Sequence, residues 1–279
     1  MAPPLDQDLP NEKQMGFLDH LEELRSRLFK SLFAIFIGAS ILFVKKDWVF
    51  DMILFGPRNP EFFSFKMWCK LSELIGAGDK LCVSEVKYEL INTSMLGNFT
   101  AHIMVSLAGG VIVVFPYLLL QIWGFIKPAL KNSERKSIRG MGFFSSLLFF
   151  GGVAFGYWGI VPLSLQFLGG YELGDVASRI AVMSYVKTVA TIALASGLIF
   201  QLPVFVYFLS RAGVVTPEIL RSYRKHALIG ILIIAAIITP PDLTSQILVS
   251  IPVLFLYEIG VIIAKRQVRK REKKNTNDN

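Results

Sequence analysis

The chain has 279 residues, of which 53% are hydrophobic and only 18% are charged. That composition excludes one ordinary soluble domain and favours a membrane protein. The formal net charge is +8, but the basic residues cluster between apolar runs, so membrane topology and contact with anionic lipid explain the charge without nucleic acid.

The N-terminal region divides into a polar segment and a helix. Residues 1–14 are polar and contain three prolines, which predicts a flexible cytoplasmic segment. From Met15, Leu and Phe recur at helical spacing beside charged residues, which predicts an amphipathic helix at the membrane surface that leads into the first span. The first apolar stretch lacks a small-residue cleavage pattern, so we expect it to stay in the protein.

Apolar runs recur along the chain at lengths that suit a bilayer, since ~20 mostly apolar residues are needed to cross ~30 Å of hydrocarbon. They predict an all-α polytopic membrane protein with one membrane domain at residues 15–264. Its six predicted transmembrane helices are 28–44, 99–126, 141–162, 185–210, 226–239 and 243–264. The fifth would be only about 21 Å long, so the bilayer must thin there or the helix ends must snorkel.

Most of the 29 Lys and Arg residues lie in segments that would share one side of the membrane, including a basic tail at residues 265–279. The positive-inside rule then predicts that both termini are cytoplasmic. The long loop at residues 45–98 would face outwards, and we expect it to form an ordered cap. It holds Cys69 and Cys82 in an oxidising compartment, and the sequence leaves open either a disulfide between them or two packed free thiols.

Enzyme and metal signatures are missing from the sequence. The three histidines are scattered, and Cys-x-x-Cys, His-Glu-x-x-His and phosphate-loop motifs are absent, so we expect no metal, no cofactor and no enzymatic activity. A secondary transporter for a small anion or peptide is the alternative. It would need ionisable residues near mid-membrane, where the sequence offers only Lys187, close to a span start, and the neutral Gln201.

Three carboxylates lie on the predicted cytoplasmic side. Glu22 and Glu23 precede the first span, and Glu134 lies in the first inner loop. By pattern alone they form a solvated face, with ordinary pairs such as Glu23 with Arg27 at i, i+4 that contribute a few tenths of a kcal/mol. A passive membrane scaffold would require no more than that.

Several motifs nevertheless resemble one family in order and spacing. The string HLEELRSR at residues 20–27 resembles the N-terminal motif of TatC, the polytopic subunit of the twin-arginine translocase. Further matches are FPYLLLQIWGFIKPAL at 115–130 with ERK at 134–136, ITPPD at 238–242 ahead of SQ, IP at 251–252, and YEIG at 257–260. Each motif is short, but the ordered set extends from about Met15 to Lys265.

The resemblance implies a receptor and core subunit that binds Arg-Arg signal peptides and exports folded proteins across the bacterial inner membrane with the proton-motive force. It also implies a homo-oligomer within a larger complex, together with TatA-type and TatB-type single-span partners that dock along the fourth to sixth spans.

In the family, Glu23 and Glu134 correspond to the positions that bind the paired arginines. A guanidinium makes bidentate bonds to a carboxylate, whereas a Lys presents a point charge, so two sheltered carboxylates can prefer Arg-Arg to Lys-Lys. Arg25, Gln121 and Phe125 are further candidates for the signal-peptide site. A membrane-interface aromatic is the competing interpretation of Phe125.

Three polar residues outside that site are singled out. Many family members carry a buried Glu where this chain has Gln201, which keeps hydrogen bonds but cannot become negative, so we predict a polar contact for a partner helix or a water site. Asp242 is predicted to cap the N-terminus of the last span. Glu258 is predicted to pair with a nearby base such as Lys265.

Overall fold

The computed structural model describes residues 17–59, 61–74, 88–126, 132–171, 179–239 and 243–277, and this part of the chain is mostly helical. In chain order its helices are α1 (Phe17–Val44), α2 (Lys46–Trp48), α3 (Phe63–Leu74), α4 (Gly97–Ile126), α5 (Asn132–Ala154), α6 (Val161–Gly170), α7 (Val182–Ile199), α8 (Leu202–Ala212), α9 (Pro217–Ser222), α10 (Arg224–Ile238) and α11 (Leu243–Asn277).

Within the described residues, five helical stretches are long and apolar enough to cross a membrane. They are His20–Val44, Gly97–Phe125, Gly140–Gly170, Val182–Ala212 and Gln246–Lys270. The predicted fifth span corresponds to α10, which has 15 residues and is therefore only about 22 Å long. Five candidate spans are thus observed where the sequence predicts six, because α10 is shorter than the ~30 Å hydrocarbon core.

Two of the long helical stretches are irregular near prolines. α5 and α6 are joined by a π-helical segment, Phe155–Ile160, which ends two residues before Pro162. α7 and α8 are separated at Phe200 and Gln201, and Gln201 is two residues before Pro203. Proline lacks an N–H and its ring clashes with the preceding turn, which accounts for a local change of helix type at both places.

The first helix is continuous from Phe17 to Val44, so the predicted surface helix and first span are one element. It packs along α4, and a Cβ at Gly110 would lie 2.6 Å from the backbone nitrogen of Ala39. Glycine therefore allows the two backbones to approach this closely, as in other membrane helix pairs. On another side of α1, Phe33 and Phe36 are 67% and 69% exposed, which suits lipid rather than water.

A small sheet departs from the all-α expectation. The strands β1 (Glu89–Ile91) and β2 (Arg179–Ala181) pair in parallel, with Leu90 opposite Ile180, and so join the loop after α3 to the loop after α6. The same outer region is tied to α7, because the hydroxyl of Tyr185 donates to the Leu54 carbonyl oxygen at 2.6 Å. The described parts of the outer loop are therefore fixed to the helices beneath them.

The C-terminal end of α4 is held by aromatic packing. Trp123 is buried, and its ring centroid lies 4.1 Å from that of Phe208 in α8. Gln121 and Phe125 lie two residues before and two residues after Trp123 on α4. This packing fixes the end of α4 that faces the beginning of α1.

Candidate functional site

Three of the predicted site residues lie in a crevice between the beginning of α1 and the end of α4, namely Glu23, Gln121 and Phe125. Glu23 supplies the carboxylate of this crevice. Two N–H groups of Arg27 donate to one oxygen of the Glu23 carboxylate. Arg27 Nη2 lies 2.6 Å from Glu23 Oε1, and Arg27 Nε lies 2.9 Å from the same atom. The i, i+4 spacing puts both side chains on one face of α1, so this local pair is expected from the sequence and is present.

The second oxygen of Glu23 is different. Oε2 is buried and has no hydrogen-bond donor among the residues that the structure describes. The Glu23 side chain is only 19% exposed and that of Arg27 is 27% exposed, so water screens the pair incompletely. An ionised oxygen without a donor is unfavourable in such a place, and Glu23 can therefore accept a further N–H group.

Arg27 reaches across to α4. Its Nη1 donates to Gln121 Oε1 at 3.4 Å, which is long for a hydrogen bond. The guanidinium lies against Gly124, where a Cβ would be 2.0 Å from Nη1. Any larger residue at Gly124 would push the Arg27 guanidinium away, so this glycine provides the space in which the guanidinium lies.

An aromatic pair borders the same crevice. The rings of His20 in α1 and Phe125 in α4 are stacked, with centroids 4.3 Å apart and an interplanar angle of 18°. Both residues are partly buried. Phe125 thus packs on α1 and forms a wall beside Glu23, in addition to lying near the predicted membrane surface.

The structure does not bring all predicted site residues together. Arg25 is exposed, and its guanidinium lies 5.7 Å from the ring centroid of Phe29. Glu22 is also exposed, as the interpretation of a solvated face expects. Glu134 falls in the first turn of α5, but its side chain lies outside the described residues.

The predicted polar residues away from the crevice have defined partners where they are described. Gln201 is 4% exposed, its Nε2 donates to the Ser145 carbonyl oxygen at 2.8 Å, and the Ser145 hydroxyl donates to its Oε1. Glu258 pairs with a base, as predicted, and this base is Arg224 at 2.7 Å rather than Lys265. Asp242 and Cys82 lie outside the described residues, so the cap at Asp242 and the bond between Cys69 and Cys82 stay predictions.

Sequence reasoning did not assign His20 and Gly124 to the site, and it treated Arg27 only as an ordinary surface pair. His20, Glu23 and Arg27 share helical spacing on α1, which was the available signal. Gly124 carries no such signal, because its role depends on how closely α1 approaches α4. Among the described residues, no group of three or more His, Cys, Asp or Glu side chains could hold a metal ion.

Comparison with known proteins identifies a consistent set of relatives. A family model described as TatC, Sec-independent protein translocase protein, matches residues 19–252. A Sec-independent protein translocase protein TatC from Blattabacterium sp. subsp. Periplaneta americana is 35% identical over 259 residues, 92% of this chain and 97% of the relative. The corresponding protein of Aquifex aeolicus is 34% identical over 260 residues, 92% and 98% of the two chains.

Solved structures agree with these sequence relatives. A crystal structure of a twin-arginine translocase receptor, TatC, matches with a TM-score of 0.68 and 34% identity, over 89% of this chain and 99% of that one. A second crystal structure of such a receptor, in DDM, matches with a TM-score of 0.70 and 35% identity, over 88% and 99%.

Proposed function

The chain belongs to the TatC family of Sec-independent protein translocases, and from that premise we propose that it is the receptor and core subunit of a twin-arginine translocase. It binds the paired arginines of export signals and exports folded proteins with the proton-motive force. The family is a component of a transport machine and not a catalytic enzyme family, so the chemistry required is recognition rather than bond making.

The observation that carries this proposal is the Glu23 carboxylate, which is partly buried and has one oxygen without a described donor. A signal arginine can supply planar N–H groups to that oxygen, whereas a lysine ammonium is a more strongly hydrated point charge. Charge-assisted bonds in a partly desolvated place contribute ~1.5–3 kcal/mol each. We place the second arginine on Glu134, with Gln121 and Phe125 beside the first and Arg25 at the rim.

The two other functional classes have less support. A secondary transporter needs ionisable groups deep in the membrane, but Lys187 is exposed six residues into α7 and Gln201 is neutral. A passive scaffold has no need for a glycine that makes room for a guanidinium beside a carboxylate. That arrangement favours a receptor.

Partner binding is proposed on the opposite side of the fold. An apolar groove of about 250 Å³ lies between α8, α10 and α11, and Phe205, Ile234 and Val253 line it. A groove of this size can accept a few apolar side chains of a helix that lies across it, which supports TatA-type and TatB-type partners along the fourth to sixth spans. We also propose that the chain assembles with copies of itself in this complex.

Six crossings, with both termini in the cytoplasm of a bacterial inner membrane, follow if the short α10 also spans the bilayer. We expect single cysteines, in a chain whose Cys69 and Cys82 are replaced by serine, to report this arrangement with a membrane-impermeant maleimide. Cysteine at Met95 should react in intact spheroplasts, whereas cysteine at Val214 or Asn279 should react only after permeabilisation. Labelling of Asn279 from outside would instead indicate five crossings.

The function itself is tested by export. In a strain that lacks its own TatC, this chain and matching TatA-type and TatB-type partners should export a folded reporter that carries an Arg-Arg signal. The same reporter with Lys-Lys should stay inside, and an uncoupler should stop export of the Arg-Arg form. Equal export of both reporters would contradict recognition of paired arginines.

A further inference from the structure

We propose that Arg27 is a built-in competitor for the signal peptide, which occupies Glu23 in the empty receptor and is displaced when a signal arginine binds. This inference rests on the proposed function of Glu23. It adds a residue that sets the affinity of the site, and it assigns Arg27 a regulatory contact rather than a purely structural one.

The group on Glu23 is a guanidinium, the same group that a signal arginine would bring. It makes two charge-assisted bonds to Oε1, at 2.6 and 2.9 Å, and leaves Oε2 without a described donor. An incoming arginine that uses both carboxylate oxygens, as guanidinium groups prefer, must therefore share Oε1 with Arg27 or take it over.

The Glu23 carboxylate needs a counter-ion. A carboxylate that is 19% exposed is poorly solvated, and removal of its partner leaves an uncompensated charge. Arg27 supplies the compensation while the site is empty. A bound signal arginine supplies the same compensation, so the exchange conserves charge and leaves only a small difference in free energy between the two states.

On α4, Arg27 is held by a weak hydrogen bond and by packing on a glycine. Its described hydrogen bond to α4 is the long one to Gln121 at 3.4 Å, and its packing on Gly124 involves no side chain of that residue. A side chain that only supported the fold would be expected to make shorter bonds on both helices. Arg27 can instead swing away and leave the space over Gly124 for another guanidinium.

Competition predicts a gain in affinity when the competitor is removed. Arg27→Gln should tighten binding of an Arg-Arg signal peptide by roughly three- to tenfold, the range expected for loss of one partly screened ion pair. A Lys-Lys peptide should gain by the same factor, because a competitor on a shared oxygen raises both dissociation constants equally. Arg27→Lys, which keeps the charge but loses the planar fork, should lie between Arg27→Gln and wild type.

The measurement is fluorescence anisotropy of a labelled signal peptide with the full chain in nanodiscs. Lys30→Gln is the matched control, since it removes the same charge one turn further along α1 from an exposed position, and it should change affinity less than twofold. In the double variant Glu23→Gln with Arg27→Gln, the gain should disappear. Thermal unfolding in detergent identifies variants that fail to fold. If Arg27→Gln fails to fold, the affinity of Arg27→Lys for the peptide tests the competition instead.

The outcomes separate this inference from the function on which it rests. If wild type binds in a Glu23-dependent way but Arg27→Gln weakens or does not change binding, Arg27 holds Glu23 in position and competition is overturned. An equal gain in affinity in Lys30→Gln would show that the effect comes from the overall positive charge of α1, and it would also overturn the competition. If wild type shows no preference for Arg-Arg and no dependence on Glu23, the receptor proposal itself fails.

Discussion

Glu23→Gln is expected to weaken binding of an Arg-Arg signal peptide by about ten- to a hundredfold, which corresponds to the ~1.5–3 kcal/mol of a charge-assisted hydrogen bond in a partly desolvated site. Glutamine keeps the size of the side chain and one acceptor oxygen. It loses the negative charge. If its oxygen faces Arg27, its NH₂ group takes the place of the unpaired Oε2 and cannot accept a hydrogen bond from the peptide. The peptide's guanidinium then loses its counter-ion.

The neighbouring acid provides the control. Glu22→Gln removes the same charge one residue away, but Glu22 is exposed, so its effect should be within about threefold because exposed pairs contribute only ~0–1 kcal/mol. Titration of a labelled peptide against each variant in nanodiscs measures both effects. Equal losses in Glu22→Gln and Glu23→Gln would show that the peptide responds to the net charge of the surface, and Glu23 would lose its special role.

The membrane-spanning helices were largely predictable because the bilayer imposes a length and a composition on each of them. The α10 helix shows where that reasoning is weakest. Its apolar run is visible in the sequence, but 15 residues are compatible with a short span, a tilted helix or a helix on the surface. Bilayer thickness and packing against neighbouring helices determine which of these arrangements forms, and the apolar run by itself specifies neither.

The site was predictable in part. The position of Glu23 follows from its motif, and its pairing with Arg27 follows from helical spacing. The space above Gly124 does not, because it depends on the distance between two helices whose contacting residues are about a hundred positions apart in the chain. The contact between Arg27 and Gln121 likewise depends on the α1–α4 crossing rather than on either segment.

Long-range pairing explains the remaining differences. Glu258 was expected to pair with a nearby base such as Lys265, and the base with which it pairs is Arg224, 34 residues away, because α10 and α11 run antiparallel and bring the first residue of α10 beside Glu258. The β1–β2 sheet likewise joins two loops that are separated by three helices. Local patterns carry no information about which distant segment comes alongside.

Gln201→Leu is expected to lower the free energy of unfolding by about 1–2 kcal/mol. The Gln201 amide makes two hydrogen bonds to Ser145 in α5, one of them at 2.8 Å. Buried hydrogen bonds between membrane helices contribute ~0.6–1.7 kcal/mol each. Leucine fills similar volume but leaves the Ser145 hydroxyl to find another acceptor. Reversible unfolding in mixed micelles measures the change. Gln267→Leu, in the last turns of α11, is the control and should stay within about 0.5 kcal/mol.

A double-mutant cycle with Ser145→Ala isolates the pair itself. If the two side chains act on each other, the double variant should be less destabilised than the sum of the single variants by about 0.5–1.5 kcal/mol. Such coupling would mean that Gln201 stabilises the contact between α5 and the break before α8, and that this polar group contributes to the stability of the fold. Additive effects together with lost export would instead mean that Gln201 acts on a partner helix.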